Sequence, residues 1–423
     1  MGMVVRKGLV AMGVALLLLA AGNGDYRPSS LDLTVSSYRY SLLNWELSNF
    51  LDKWVRKTGD LLPWSTREAR GPRNTLAREF FTLGRELEDK KRRLRFPAAN
   101  AEGQFSEQEA QSLRSEIVRI NARRRAIRPK VEEAIESEIS AILAQEGFSS
   151  RIGLIFPPVD TVYTSSPGVL ILSPRDRIER QQTILLIAGL SDGDKEQIEE
   201  RILREEDLAA LVENTGGVAA YPSIVADSGG LHHAVVTTAH EWLHHWFFFQ
   251  ALGQHFWDSA EMTTLNETAA TLGGREIGDR AFTAMTGKPV DRESKPETPT
   301  GTDVFDFDAA MRETRLRTEE LLTQGRIEEA EAYMEERRQL FVANGHLIRK
   351  INQAFFAFHG SYADSPASIS PINDQLKELR GRSESLEDFL KLVAGFGSHQ
   401  EFLEYLDSTR RTMGKTFSRP RVR

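Results

Sequence analysis

The chain of 423 residues contains no cysteine. That absence excludes disulfides, thiolate metal ligands and a cysteine nucleophile, and it leaves the redox compartment unmarked. Long apolar runs are scarce too. The stretch from Gly8 to Gly22 is shorter than the roughly 20 residues a helix needs to span a bilayer. Charge of one sign is also in short supply: a net charge of −7 gives no reason to expect nucleic acid as a partner. What is present suits a folded body, with 40% apolar residues to build a core and 27% charged residues to solvate it. The length exceeds one average domain, so more than one lobe is expected.

In MGMVVRKGLVAMGVALLLLAAGNG, Arg6 and Lys7 precede the apolar run, and Ala20, Ala21 and Gly22 close it. Basic, then apolar, then small is the order of a secretory signal peptide or N-terminal membrane anchor, assigned to residues 1–29. The basic flank places the rest outside, so the protein is expected to be extracytoplasmic, either secreted or anchored by a segment that contacts or spans the membrane.

Residues 30–150 read as a helical region. Leu43, Leu47, Phe50 and Trp54, then Leu76, Phe80, Leu83 and Leu87, recur at helix spacing. Ser106 and Glu109 form a capping box ahead of a long apolar-periodic run, which Pro129 is expected to kink or interrupt. Residues 67–130 hold 17 Lys/Arg against nine Asp/Glu, an excess best read as the solvated face of long helices, with an anionic surface as the rival partner. From residue 152 the runs LIFPPVDTVY, GVLILSP and TILLIAGL predict a small sheet. A charged helix is expected from about Asp194 to Glu213, followed by a strand in GVAAYPSIVA. The Pro- and Thr-rich 288–307 segment reads as a flexible insert, with a lid as the alternative. A helical lobe over 308–415 and a basic tail over 416–423 follow. The fold class is α+β, mostly α.

The chemistry concentrates in TTAHEWLHHWFFFQ. HEWLH puts His240 and His244 one helical turn apart on one face, where two imidazole nitrogens reach one Zn²⁺, and Glu241 projects toward the open side of the ion. Chance alone would place HExxH in roughly two such chains in a hundred. The frame of Thr237, Thr238, Trp242, Leu243 and Trp246 carries no other charge, as expected of a buried helix. A third ligand is required, and Glu267 in TTLNETAATLGG supplies one. Thr263, Ala270, Thr271 and Gly274 share its face and are all small, which lets a second helix approach closely. An ordinary packing seam is the alternative. His245 points about 100° away from His244 and is a poor ligand. His233, two turns before His240, is a weaker candidate for the cleft.

HEWLHHWF followed by LNETAA resembles the gluzincin metallopeptidases, with HExxH on one helix and an N-E-x-x-A-like motif on the next. More narrowly it is similar to exported, mostly helical bacterial proteins of aminopeptidase type, whose later N-N/Q-A…Y pattern is matched by NQAFFAFHGSY, Asn352 to Tyr362. The resemblance implies a zincin-like core over 151–287, made of a small sheet, a zinc helix and a glutamate helix. It further implies one Zn²⁺ per chain on His240, His244 and Glu267, with Asn266 and Thr271 standing behind the ligands. A G-A-M-E-N exopeptidase motif is absent, and Thr271 stands where thermolysin-like enzymes carry an orienting Asp.

The expected function is zinc-dependent hydrolysis of a peptide or protein substrate by a metal-activated water, with Glu241 as general base. Tyr362 is the candidate to stabilise the developing oxyanion, and His359 a weaker cleft candidate three residues before it. Terminal and internal cleavage both stay open. So does an envelope protein of the same fold that is catalytically inert, or a helical scaffold binding a partner or membrane surface.

Overall fold

The computed structural model describes residues 29–49, 70–95, 106–151, 153–290 and 305–417. Residues 1–28 of the expected signal or anchor, Phe50 and Trp54 of the expected first helical run, 291–304 of the expected insert and 418–423 of the basic tail lie outside them. Among the described residues no helix is long and apolar enough to cross a membrane.

Helix α1 (Ser30–Val35) precedes a long pair, α2 (Arg70–Arg95) and α3 (Glu107–Gln145). The capping box at the start of α3 forms: the Glu109 N–H donates to Ser106 Oγ at 3.2 Å, and its carboxylate accepts the Ser106 N–H at 2.9 Å. Pro129 does not interrupt α3, contrary to expectation. It forfeits one backbone bond, but Ile127, Val131, Ala134 and Ile135 on either side are buried, and that packing carries the helix through. The basic excess of this pair is partly answered across it, by Arg123 on Glu79 and Arg73 on Glu133 at 2.7 and 2.8 Å, and by Lys90 on Glu116.

One sheet was expected; there are two, each of three strands. The elements are β1 (Thr161–Thr164), β2 (Gly168–Pro174), β3 (Gln182–Leu186), α4 (Asp192–Glu206), β4 (Leu208–Asn214), β5 (Gly217–Val218) and β6 (Ser223–Ala226). The first sheet runs β1-β6-β5, with β1 parallel to β6 (Thr161 opposite Ser223) and β5 antiparallel (Gly217 opposite Val225). The second is antiparallel, in the order β3-β2-β4. LIFPP stays out of β1, since Pro157 and Pro158 have no N–H to donate. Pro222 lies between β5 and β6 and divides GVAAYPSIVA.

LAALVEN, expected as the end of the charged helix, is strand β4 instead. Helix α4 stops where Asp207 turns left-handed at φ 54°, and the next seven residues pair along β2. A strand covered on both faces carries a continuous apolar run, which has no period to tell it from helix. Val169 and Ile171 face one core, Leu170 and Leu172 another.

The outer edge of β1 is closed by α3. The Thr161 N–H donates to Glu136 at 2.9 Å and the Tyr163 N–H to Glu132 at 3.2 Å. The outer edge of β4 is closed likewise, with the Val212 N–H on Glu199 at 2.7 Å and the Ala210 carbonyl accepting from Asn352 at 2.9 Å.

After β6 come α5 (Leu231–Phe248), α6 (Ala251–Gln254) and α7 (Ala260–Thr286), then α8 (Phe307–Thr323), α9 (Ile327–Ala343), α10 (Gln353–His359), α11 (Ile372–Arg382), α12 (Leu386–Ala394) and α13 (His399–Phe417). The main core joins α2, α3, α5, α7 and α11 to α13. Helices α8 to α10 cover one face of the second sheet, and α1 with α4 the other.

Candidate metal centre

Helix α5 presents His240 and His244 with their Nε2 atoms 3.0 Å apart. Glu267 of α7 brings Oε2 to 3.6 Å from His240 Nε2 and 3.5 Å from His244 Nε2. A tetrahedral ion with ligands at about 2.0–2.1 Å has ligand-to-ligand edges of about 3.3–3.4 Å. The observed triangle brackets that value, and the three residues can hold a metal ion. Glu267 Oε2 is buried and has no hydrogen-bond partner. A buried carboxylate oxygen left without a donor is costly, and a cation in the triangle would satisfy it.

Two glycines bring the helices this close. A Cβ on Gly274 would lie 2.9 Å from both N and Cα of His240, and one on Gly278 would lie 2.5 Å from Cα of Val236. Asn266 lies against His244, Gly274 against His240 and Gly278 against Val236, so α5 and α7 run antiparallel. The small face expected on the second helix is therefore used, chiefly through Gly274 and, beyond the predicted stripe, Gly278.

Asn266 Oδ1 is 2.9 Å from His244 Nδ1, and Asn266 Nδ2 donates to the Leu252 carbonyl. With its amide so anchored, Asn266 takes the Nδ1 proton of His244 and leaves Nε2 directed at Glu267. Burial on its own would depress His244, but the Glu267 carboxylate beside it outweighs burial and holds it at about 9. Burial would likewise raise Glu267, yet the two imidazoles keep it well below the usual carboxylate range. Such a locus attracts positive charge.

Glu241 is 6% exposed and lines the same cavity. Burial raises its carboxyl above the ordinary value, and the Glu267 charge adds to that against the two histidines. Its Oε1 packs on Gly217 of β5, where any Cβ would come within 2.3 Å. The cavity encloses about 1170 Å³ and includes His240, His244, Glu267, His233, Thr271 and Tyr362 in its lining.

Tyr362 reaches this cavity because α10 is pinned to the second sheet. Asn352 caps the helix through the Phe355 N–H at 2.9 Å, and Gln353 donates to the Arg175 carbonyl at 2.7 Å. The Glu267 charge and burial together raise the Tyr362 phenol well above 10, so it stays a donor. His359 goes elsewhere. It lines a second cavity of about 400 Å³ with Glu213, Phe307 and Phe355, where burial pushes it down to about 4. His245 lines the cleft beside Tyr221, outside the ligand triangle, and burial takes it to about 4.

The sequence reading missed Gly217, Arg180 and an aromatic rim. Phe156, Phe248, Phe249 and Trp257 line the cleft and are each more than half exposed. Three phenylalanines in succession at the end of α5 were a usable signal, because a helix cannot turn all three inward: Phe247 is buried, and the next two face out. The chain matches no protein-family model, and neither the curated proteins nor the solved structures yield a match.

Proposed function

We propose that this protein is a zinc-dependent peptidase that hydrolyses peptide bonds in the cleft between α5, α7 and β5, on a zincin-like core formed by the first sheet and those two helices. The observation that carries the reading is the convergence of His240, His244 and the orphaned Glu267 oxygen beside a buried Glu241. Two imidazole nitrogens and one carboxylate form a donor set suited to a catalytic zinc; His244 gives up the proton it otherwise carries when the ion binds, and a fourth position is left for chemistry. When bound, the ion supplies Lewis acidity, polarising a carbonyl and lowering the pKa of a water toward ~7.

The residues do the rest. Glu241, its carboxyl raised by burial, accepts the proton of the attacking water and passes it to the leaving amine. Tyr362, kept protonated, donates to the carbonyl oxygen as charge develops on it. Phe156, Phe249, Phe256 and Trp257 line the cleft with apolar surface that can receive bulky apolar side chains of a substrate.

The test is metal content and turnover together. About one zinc per chain is expected in the wild type, with Glu267→Ala losing it. Glu241→Gln should keep the metal and lose cleavage of a quenched fluorescent peptide library. A wild type that takes up no zinc, or a Glu241→Gln variant that cleaves as well as wild type, would refute the assignment.

A further inference from the structure

The charges that line the cleft are few and unevenly committed. Among the described residues its acidic side chains are Glu241 and Glu267, both engaged in the metal chemistry. No third carboxylate lines it to receive a substrate amine. Two guanidiniums do line it. Arg275 is paired with Asp364 at 3.2 Å. Arg180 is not paired: its Nε donates to Thr183 Oγ1 at 2.8 Å, and among the described residues no carboxylate lies within ion-pair distance of it.

Arg180 is also held in place. Its guanidinium carbon lies 5.8 Å from the ring centres of both Trp257 and Phe358. With Nε bound to Thr183, the two terminal nitrogens remain as a fork of donors, the geometry that receives a carboxylate through two parallel bonds. Phe358 in turn lies 6.0 Å from the Tyr362 ring. Laid end to end, the separations from Arg180 through Phe358 to Tyr362 set an upper limit of just under four extended residues at ~3.3 Å each. The unpaired cation thus lies within a few residues of the bond to be cut, beside aromatic walls.

We infer that the cleft selects peptides bearing a carboxylate within about four residues of the scissile bond, received by Arg180, with bulky apolar neighbours and no requirement for a free α-amine. This deepens the peptidase reading and rests on it. Arg180 is a specificity-determining residue in this account. The carboxylate has two sources of the same chemistry, the C-terminus of a short peptide or an Asp or Glu side chain within a longer one. Among the described residues a free amine finds no carboxylate in the cleft beyond the two at the metal site, and basic residues near the cut are disfavoured by the same inventory.

The experiment uses the full chain, zinc-loaded, in the Glu241→Gln background so that ligands persist, with affinity read by calorimetry. The probes are one apolar peptide as free acid, as C-terminal amide, as amide with one internal Glu, and as N-acetylated free acid. At least one carboxylate-bearing probe, the free acid or the internal-Glu amide, is expected to bind at least ten-fold more tightly than the plain amide, and N-acetylation to change binding less than two-fold. Recovery of affinity by the internal Glu assigns the side-chain source, and its absence assigns the C-terminus. Adding Arg180→Gln should abolish the acid preference, while Arg180→Lys should restore part of it. Zinc content reports that the site stays built in each variant. Equal binding of the free acid, the amide and the internal-Glu amide, no binding by any probe, loss of binding on N-acetylation, or a carboxylate preference that survives Arg180→Gln overturns the inference. The peptidase reading falls on a different result, turnover unaffected by Glu241→Gln.

Discussion

Replacing Gly274 by alanine tests whether helix contact, rather than ligand identity alone, sets the metal site. The new methyl would sit 2.9 Å from N and Cα of His240 and 3.0 Å from its Cβ. None of these atoms can rotate away. Ordinary contact begins near 3.4 Å, so α5 and α7 must part by about 0.5 Å at this point. Glu267 lies seven residues, about two turns, along the same helix. A metal site tolerates displacements of only about ±0.2 Å in its ligand distances. Overpacking costs about 1–3 kcal/mol, offset by the ~1 kcal/mol by which a helix interior favours alanine over glycine. The net cost to stability is therefore about 0–2 kcal/mol, so the fold should persist while the metal site is displaced. Zinc titration against a chromophoric chelator is expected to show affinity at least ten-fold weaker for Gly274→Ala. Gly273→Ala is the control. Its methyl would meet Leu243 Cδ1 at 2.8 Å and Leu390 Cδ2 at 3.0 Å, side-chain ends that can swing aside. Affinity equal to wild type in Gly274→Ala would refute the claim that glycine holds Glu267 in range.

Asn266→Ala removes the partner of His244 Nδ1, and zinc affinity should fall about 10–100-fold in the same chelator titration with the circular dichroism unchanged. Tyr362→Phe should keep the metal and lower kcat by about 10²–10³, and full turnover would remove Tyr362 from the chemistry. Glu199 has a fully buried side chain against Arg349 and Lys350, at 2.5 and 2.8 Å. Burial pushes its carboxyl up, yet the two cations outweigh burial and hold it below the ordinary value. A carboxyl depressed on folding stabilises above its unfolded pKa, and that stability is lost as pH falls through its folded pKa. Glu199→Gln should lower urea stability at pH 7 by about 3–5 kcal/mol and flatten the loss toward acid, whereas an unaltered acid limb would assign that limb to other groups.

How much of this was legible depends on how local each signal is. The spacing of His240 and His244 is a property of one helical turn, so it could be read directly. Glu267 could be proposed from small residues around it, although the residues that press hardest on α5, Gly274 and Gly278, include one outside the stripe considered. Sheet pairing is not local: Thr161 pairs with Ser223 across 62 positions, and nothing in either run announces that they belong to a different sheet from β2. LAALVEN failed for want of a period. His359 and Tyr362, three apart, would share a face if α10 continued, but the helix ends at His359 and the chain turns at Gly360, so they enter different cavities. Arg180 and the rim aromatics come from segments far apart in sequence, and only folding assembles them.

The carboxylates that close the outer edge of β1 have a consequence for how molecules of this protein can meet. A strand whose N–H groups are already held by Glu132 and Glu136 offers no ladder to a visitor, which leaves β5 as the end of that sheet where another strand can join. β5 is also the wall of the metal cleft. Growth of the sheet and access to the site therefore compete for one row of backbone groups. Self-association by strand addition at β5 would cover the cleft of the molecule that accepts the strand, so on the proposed reading lost turnover would announce the onset of that association.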